Sequence, residues 1–159
     1  MTTTTVDPLA LERQVCFALA TTNRAVLAVY RPLLEPLGLT HPQYLVMLAL
    51  WDHRKNAGTP PLTVKALATA LQMESATLSP MLKRLEAMEL IVRTRSTLDE
   101  RAMGIELTRK GVALRERALD IPPAVIDRLG VDITELEQLH AVLTRINTAA
   151  LDTRPTGIA

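Results

Sequence analysis

Residues 62–90 read LTVKALATALQMESATLSPMLKRLEAMEL, two short helical patterns with almost nothing between them. In the first, Val64, Leu67, Ala68 and Leu71 recur at the spacing of one helical face, behind Thr63, whose hydroxyl can take up a free N–H at the helix start. In the second, Leu78, Met81, Leu82, Leu85 and Met88 do the same behind Ser75, which can cap in its turn. Only Gln72-Met73-Glu74 separates them, the connection length of a helix-turn-helix. Pro80 falls early in the second helix, where it removes one backbone hydrogen bond and can tilt the first turn. Beyond it, IVRTRS (91–96) and AMGIELT (102–108) are strand-like runs around the polar tip TLDER (97–101). Two strands with a charged tip form a hairpin, set as a wing directly after the helix pair.

The charge gathers in the same place. Net charge is only +1, yet residues 53–112 carry 10 basic and 6 acidic side chains, against 3 and 4 in residues 1–52 and 5 and 7 in residues 113–159. A nucleic-acid surface therefore belongs in the middle third. The helix-turn-helix turns Ser75, Thr77, Ser79, Lys83 and Arg84 away from its apolar face, where hydroxyls and cations suit phosphate oxygens and base edges in a major groove. On the wing, Arg93, Arg95 and Arg101 lie close together, and arginine at a hairpin tip can enter a narrow minor groove. Asp99 can hold that tip in shape by an ion pair with Arg101. Each of these signs alone also describes an ordinary solvated surface. Helix, tight turn, helix and basic wing in succession favour DNA.

A chain of 159 residues with 48% apolar and 3% aromatic side chains fits one domain whose core is filled by Leu, Ala, Val, Ile and Met. No apolar run approaches the roughly 18 residues of a membrane span, and MTTTT has no signal-peptide core. A single cysteine, Cys16, makes no internal disulfide, so a reducing cytoplasm is the expected setting. No paired carboxylates, metal-ligand cluster, phosphate loop or nucleophile triad stands out, so neither an enzyme nor a metal or other cofactor is expected.

Helices flank the DNA-binding region on both sides. Asp7-Pro8 reads as a helix opening, and Val15, Cys16, Leu19, Val26, Leu27 and Tyr30 follow on one stripe until Pro32, Pro36 and Gly38 end the run. Thr40-His41-Pro42-Gln43 has capping-box form and starts YLVMLALW, apolar nearly all round and so central. Residues 54–61 read as loop. After Thr108 a helix runs to about Leu119, a second spans Pro123–Leu129 before Gly130, and a third starts near Asp132 or Thr134. The third carries Leu136, Leu139, Leu143 and Ile146, a long stripe that a partner chain could cover.

The stretch 62–111, with Asp99-Glu100-Arg101, Ile105-Glu106-Leu107-Thr108 and Gly111 in its wing, resembles the winged-helix core of the MarR family of bacterial transcriptional regulators. LERQVCFALA (11–20) and YRPLLEPLGLTHPQYLVMLALW (30–51) resemble its organic-hydroperoxide-sensing, OhrR-like branch. The resemblance covers roughly residues 10–150. It implies a mainly α fold with a small β-hairpin wing, and a homodimer built by the N- and C-terminal helices on a double-stranded DNA operator. The implied division is a flexible 1–8, sensor and dimerisation helices 9–52, the winged helix-turn-helix 53–112, dimerisation helices 113–151 and a flexible tail 152–159.

In that branch the cysteine at the position of Cys16 is the peroxide sensor, hydrogen-bonded to tyrosines of the other subunit. The implied redox site is Cys16, Tyr30, His41 and Tyr44, with His41 standing where tyrosine is usual. Cys16 and Tyr30 are 14 residues apart, about 21 Å along a continuous helix, so within one chain they share a face without touching. If the helix begins near Pro8, Cys16 lies more than two turns inside it, and the helix dipole gives it little. Organic hydroperoxide is then the signal, and with no second cysteine the oxidised sulfur goes on either to a mixed disulfide with a low-molecular-weight thiol or to over-oxidation. Two alternatives stand beside this reading. One is a MarR-type regulator relieved by a phenolic or lipophilic ligand with Cys16 incidental, the other a thiol peroxidase using Cys16 catalytically.

Overall fold

The computed structural model describes residues 7–56, 58–95 and 102–153. The wing tip with Asp99 and Arg101, and the terminal stretches 1–6 and 154–159, lie outside the described residues. The described chain forms α1 (Val15–Leu34), α2 (His41–Arg54), β1 (Leu62–Thr63), α3 (Val64–Leu71), α4 (Ser75–Ala87), β2 (Ile91–Arg95), β3 (Met103–Leu107), α5 (Arg109–Ala118), α6 (Ile121–Leu129) and α7 (Ile133–Asp152). The fold is mainly helical with a small antiparallel sheet, as the sequence implies.

Helix α2 is the central post, packed against α1, α3, α4, α5 and β3. Its start is fixed by the capping box: Thr40 Oγ1 accepts the Gln43 N–H, and the Gln43 side chain accepts the Thr40 N–H at 2.9 Å. That exchange also satisfies Gln43, a buried polar side chain. Val46 and Met47 are fully covered, beside Leu67 of α3 and Leu78, Leu82 and Leu85 of α4, all at 0% exposure. Gly38, at φ 71°, makes the left-handed corner that lets the chain turn from α1 into α2.

Three features differ from the sequence reading. The helix expected from Pro8 begins at Val15. Asp7 accepts the Leu9 N–H, residues Leu11–Arg13 form a 3₁₀ turn, and Gln14 is extended at φ −78°, ψ 119° while its amide donates to the carbonyls of Pro8 and Ala10. The local hydrogen bonds of Asp7 and Gln14 close a separate turn and restart the helix. In α4 the cap is Glu74, not Ser75. Glu74 is extended and its carbonyl takes the Thr77 and Leu78 N–H groups, so Ser75 is already the first helical residue. The wing, read as a two-stranded hairpin, is a sheet in the order β1-β3-β2. Leu62 pairs with Ile105 and Thr63 with Gly104, while Ile91 through Arg95 pair with Leu107 through Met103.

Thr63 caps α3, accepting the Ala66 N–H at 3.1 Å, and Gln72 at φ 53° makes the tight turn into α4. Thr108 caps α5, accepting the Gly111 N–H at 3.0 Å. The chain forms two compact units, Met1–Ile121 and Pro122–Ala159. In the second, Asp132 and Glu135 cap α7 reciprocally, and Leu139, Val142, Leu143 and Ile146 are exposed along one side of that helix.

Candidate nucleic-acid interface and thiol site

The buried ridge of α4 is Leu78, Leu82 and Leu85, which turns the opposite side outward. Ser75, Thr77 and Lys83 are exposed on the outer side of the helix, as the sequence places them. Ser79 differs: it is half-buried, and its hydroxyl donates to the Ser75 carbonyl at 2.9 Å. Arg84 is exposed but lies on the flank toward α2, lining a shallow cavity of about 340 Å³ with Thr40, Gln43 and Met88. Ala76 and Pro80 are also exposed on the outward side, at helical spacing from Lys83.

On the wing, Arg95 is exposed at the end of β2, while Arg93 has a partner within the chain. Its Nη2 and Nε donate to Glu86 Oε2 at 2.6 and 3.0 Å, joining β2 to α4. The hydrogen bond from Arg93 holds the Glu86 carboxyl below the usual carboxylate range. Arg93 thus braces the wing strand against the outward-facing helix. Glu86, seven residues upstream, gave no sequence signal for this pairing. Arg101 and Asp99 lie outside the described residues.

Three of the four residues implied for the redox site come together. Tyr30 of α1 meets His41 edge-on with centroids 4.9 Å apart, and Tyr44 of α2 stands 6.1 Å from Tyr30 and 6.4 Å from His41. Burial pushes both phenols up and His41 down, with Tyr30 adding to the shift at Tyr44. At neutral pH the cluster therefore holds protonated phenols and a neutral imidazole, each able to donate one hydrogen bond. Cys16 is exposed at the far end of the same helix, and it is the second residue of α1 rather than an interior one. It thus stands in the first turn of the helix. Beside the aromatic cluster, Leu27, Arg31, Glu35, Leu39, His41 and Pro42 line a cavity of about 580 Å³.

Among the described residues, no group of His, Cys, Asp and Glu could hold a metal ion, and no helix is long and apolar enough to cross a membrane. The chain matches the family model for the transcriptional regulator SarA/Rot over residues 28–117. It is 42% identical over 137 residues to the organic hydroperoxide resistance transcriptional regulator of Bacillus subtilis (strain 168), covering 86% of this chain and 89% of that one. The chain belongs to the MarR family of winged-helix transcriptional regulators. Among solved MarR-family structures, reduced AbfR bound to DNA matches with a TM-score of 0.73 at 30% identity, covering 89% of this chain and 93% of that one. AbfR, from Staphylococcus epidermidis, has also been solved overoxidised on DNA and in a disulfide form. CouR of Rhodococcus jostii RHA1, bound to a 23-mer duplex, matches with a TM-score of 0.72 at 30% identity, covering 88% of this chain and 94% of that one. These relatives are transcriptional regulators rather than enzymes, and this MarR-family chain is a DNA-binding regulator of the same kind.

Proposed function

We propose that this chain is a homodimeric repressor that holds a double-stranded operator while Cys16 is reduced and releases it when organic hydroperoxide oxidises that thiol. The observation that carries the reading is the split of the site. Three donors gather around Tyr30 and His41, while Cys16 stays exposed at the other end of α1, about 21 Å away along the helix. Two copies with antiparallel α1 helices would bring the Tyr30 cluster of each to the Cys16 of the other. Exposed Val15, Phe17 and Leu19 on α1, and separately the stripe on α7, supply apolar surface for such a dimer.

In the chemistry, the Cys16 thiolate attacks one peroxide oxygen, the O–O bond breaks, and the alkoxide leaves as the alcohol after taking a proton. The sulfenic acid then condenses with a low-molecular-weight thiol, forming a mixed disulfide and water. AbfR has been solved on DNA in an overoxidised form, so the bulkier mixed disulfide is the better candidate for the releasing state. The setting is a reducing cytoplasm, where such thiols are abundant. The test is intact-protein mass spectrometry after one equivalent of cumene hydroperoxide with a small thiol, in parallel with operator binding. A mass gain of one thiol at Cys16 that tracks release supports the proposal, and release without modification of Cys16 rejects it.

The aromatic cluster has its own consequence. Tyr30→Phe and His41→Ala each remove a donor offered to the partner's thiolate, so both should slow oxidation near neutral pH, by roughly tenfold if one hydrogen bond to a charged group is lost. Stopped-flow oxidation rates decide this, and unchanged rates in both variants reject the cradle.

Ser75, Thr77 and Lys83 face the major groove on this reading, with the two helices of a dimer about one helical turn apart on the duplex. Arg95 and Arg101 act at the wing through phosphates and the minor groove. Arg95→Ala should weaken binding on operator and random duplex alike and flatten the log–log salt slope by about 2 for a dimer. A slope equal to wild type would show Arg95 to be an ordinary solvated residue.

A second reading has one observation in its favour, the cavity of about 580 Å³ beside His41, which could take a phenolic or lipophilic ligand and leave Cys16 incidental. Release by such a ligand from a Cys16→Ser variant would establish it. A thiol peroxidase would instead show multiple turnovers with peroxide and reductant.

A further inference from the structure

The outward ridge of α4 is Ala76, Pro80 and Lys83, at i, i+4 and i+7, all exposed and opposite the buried ridge of Leu78, Leu82 and Leu85. In a helix-turn-helix, the N-terminal residues of the second helix contact base edges, and here Ala76 and Pro80 form the middle of that surface, flanked by the exposed Ser75 and Thr77. Neither Ala76 nor Pro80 has a hydrogen-bonding atom in its side chain, and Pro80 has no backbone N–H either. The neighbouring Ser79 hydroxyl, which could have supplied one, is turned back onto the Ser75 carbonyl at 2.9 Å.

From this we infer that Ala76 and Pro80 select thymine by its 5-methyl group in the major groove. The methyl is the single apolar feature a base edge presents there; N7, O6, N6 and N4 are all donors or acceptors. An apolar ridge pressed on one of those strips it of water and returns no hydrogen bond, so other bases are disfavoured as thymine is favoured. Lys83, one turn further along, then supplies the cation for a phosphate or a guanine edge. The inference rests on DNA binding and is independent of whether Cys16 senses anything.

The test uses the reduced wild-type chain and a duplex that it selects from a randomised library. Each thymine of that duplex is replaced in turn by deoxyuridine, which removes the methyl and leaves the base pairing intact. Burial of one methyl predicts about a fourfold loss of affinity at one or two thymines in each half-site. In Ala76→Gly and Pro80→Ala the loss at those positions should fall below twofold, because the contacting surface has gone. Both positions are exposed, and Pro80→Ala also restores a helical N–H, so folding is not at stake. The inference is overturned if no selected motif contains thymine in its half-sites, if no uracil costs more than twofold, or if both variants keep the wild-type loss.

Discussion

Gly111→Ala is expected to destabilise the fold by about 3 kcal/mol, at the upper end of the range for overpacking. A Cβ at that position would lie 2.0 Å from the Leu90 carbonyl oxygen, 3.0 Å from the Leu90 carbonyl carbon and 3.2 Å from Leu107 Cδ2. Backbone cannot swing aside as the end of a side chain can. The helix could back away only by giving up its own anchors, since the Thr108 N–H donates to the Leu90 carbonyl at 3.1 Å and the Gly111 carbonyl accepts the buried Trp51 Nε1–H at 2.9 Å. An indole N–H left unpaired there costs a further ~1–3 kcal/mol. In urea the midpoint should fall by at least about 1 M at an unchanged slope. Arg109→Ala, two residues away on the exposed side of α5, should stay within about 0.5 kcal/mol of wild type. Equal midpoints for the two variants would mean that α5 does not seat on Leu90 as described.

Much of this fold was legible because its signals are local. Thr63, Thr108 and Asp132 cap the helices they precede, and the Thr40–Gln43 box starts α2 where the residues place it. The buried faces of α3 and α4 follow from 3.6-residue spacing alone. What escaped was set by competition or by distance. At the N-terminus, Asp7-Pro8 offers a valid opening, but the hydrogen bonds of Asp7 and Gln14 close a separate turn first. A two-residue strand such as β1 has no period to detect, and only its pairing with Ile105 and Gly104 defines it.

The candidate site divides in the same way. Which face of α4 looks outward could be read from Leu78, Leu82 and Leu85; where the Ser79 hydroxyl goes could not, because that depends on a rotamer choice between solvent and the Ser75 carbonyl. Arg93 read as one of three wing cations, and its pairing with Glu86 needed the fold to bring β2 against α4. The gathering of Tyr30, His41 and Tyr44 depends on the corner at Gly38, which folds α2 back beside α1. The burial that favours a neutral His41 likewise comes from packing at the start of α2 that no local pattern announces.

The other large effect concerns Cys16→Ser. The position is exposed and in the first turn of α1, so serine should leave the fold and the reduced-state affinity within error of wild type. Serine cannot form a sulfenic acid or a mixed disulfide, so every step that would carry peroxide to the DNA-reading helices is lost. The coupling it removes should be in the range of other binding couplings, roughly 5- to 150-fold in affinity. The most direct measurement is operator occupancy by fluorescence anisotropy for wild type and Cys16→Ser, before and after one equivalent of cumene hydroperoxide with a small thiol present. The account predicts that wild type leaves the operator and that Cys16→Ser stays bound at its reduced-state affinity. Release of Cys16→Ser to the same extent as wild type would contradict it.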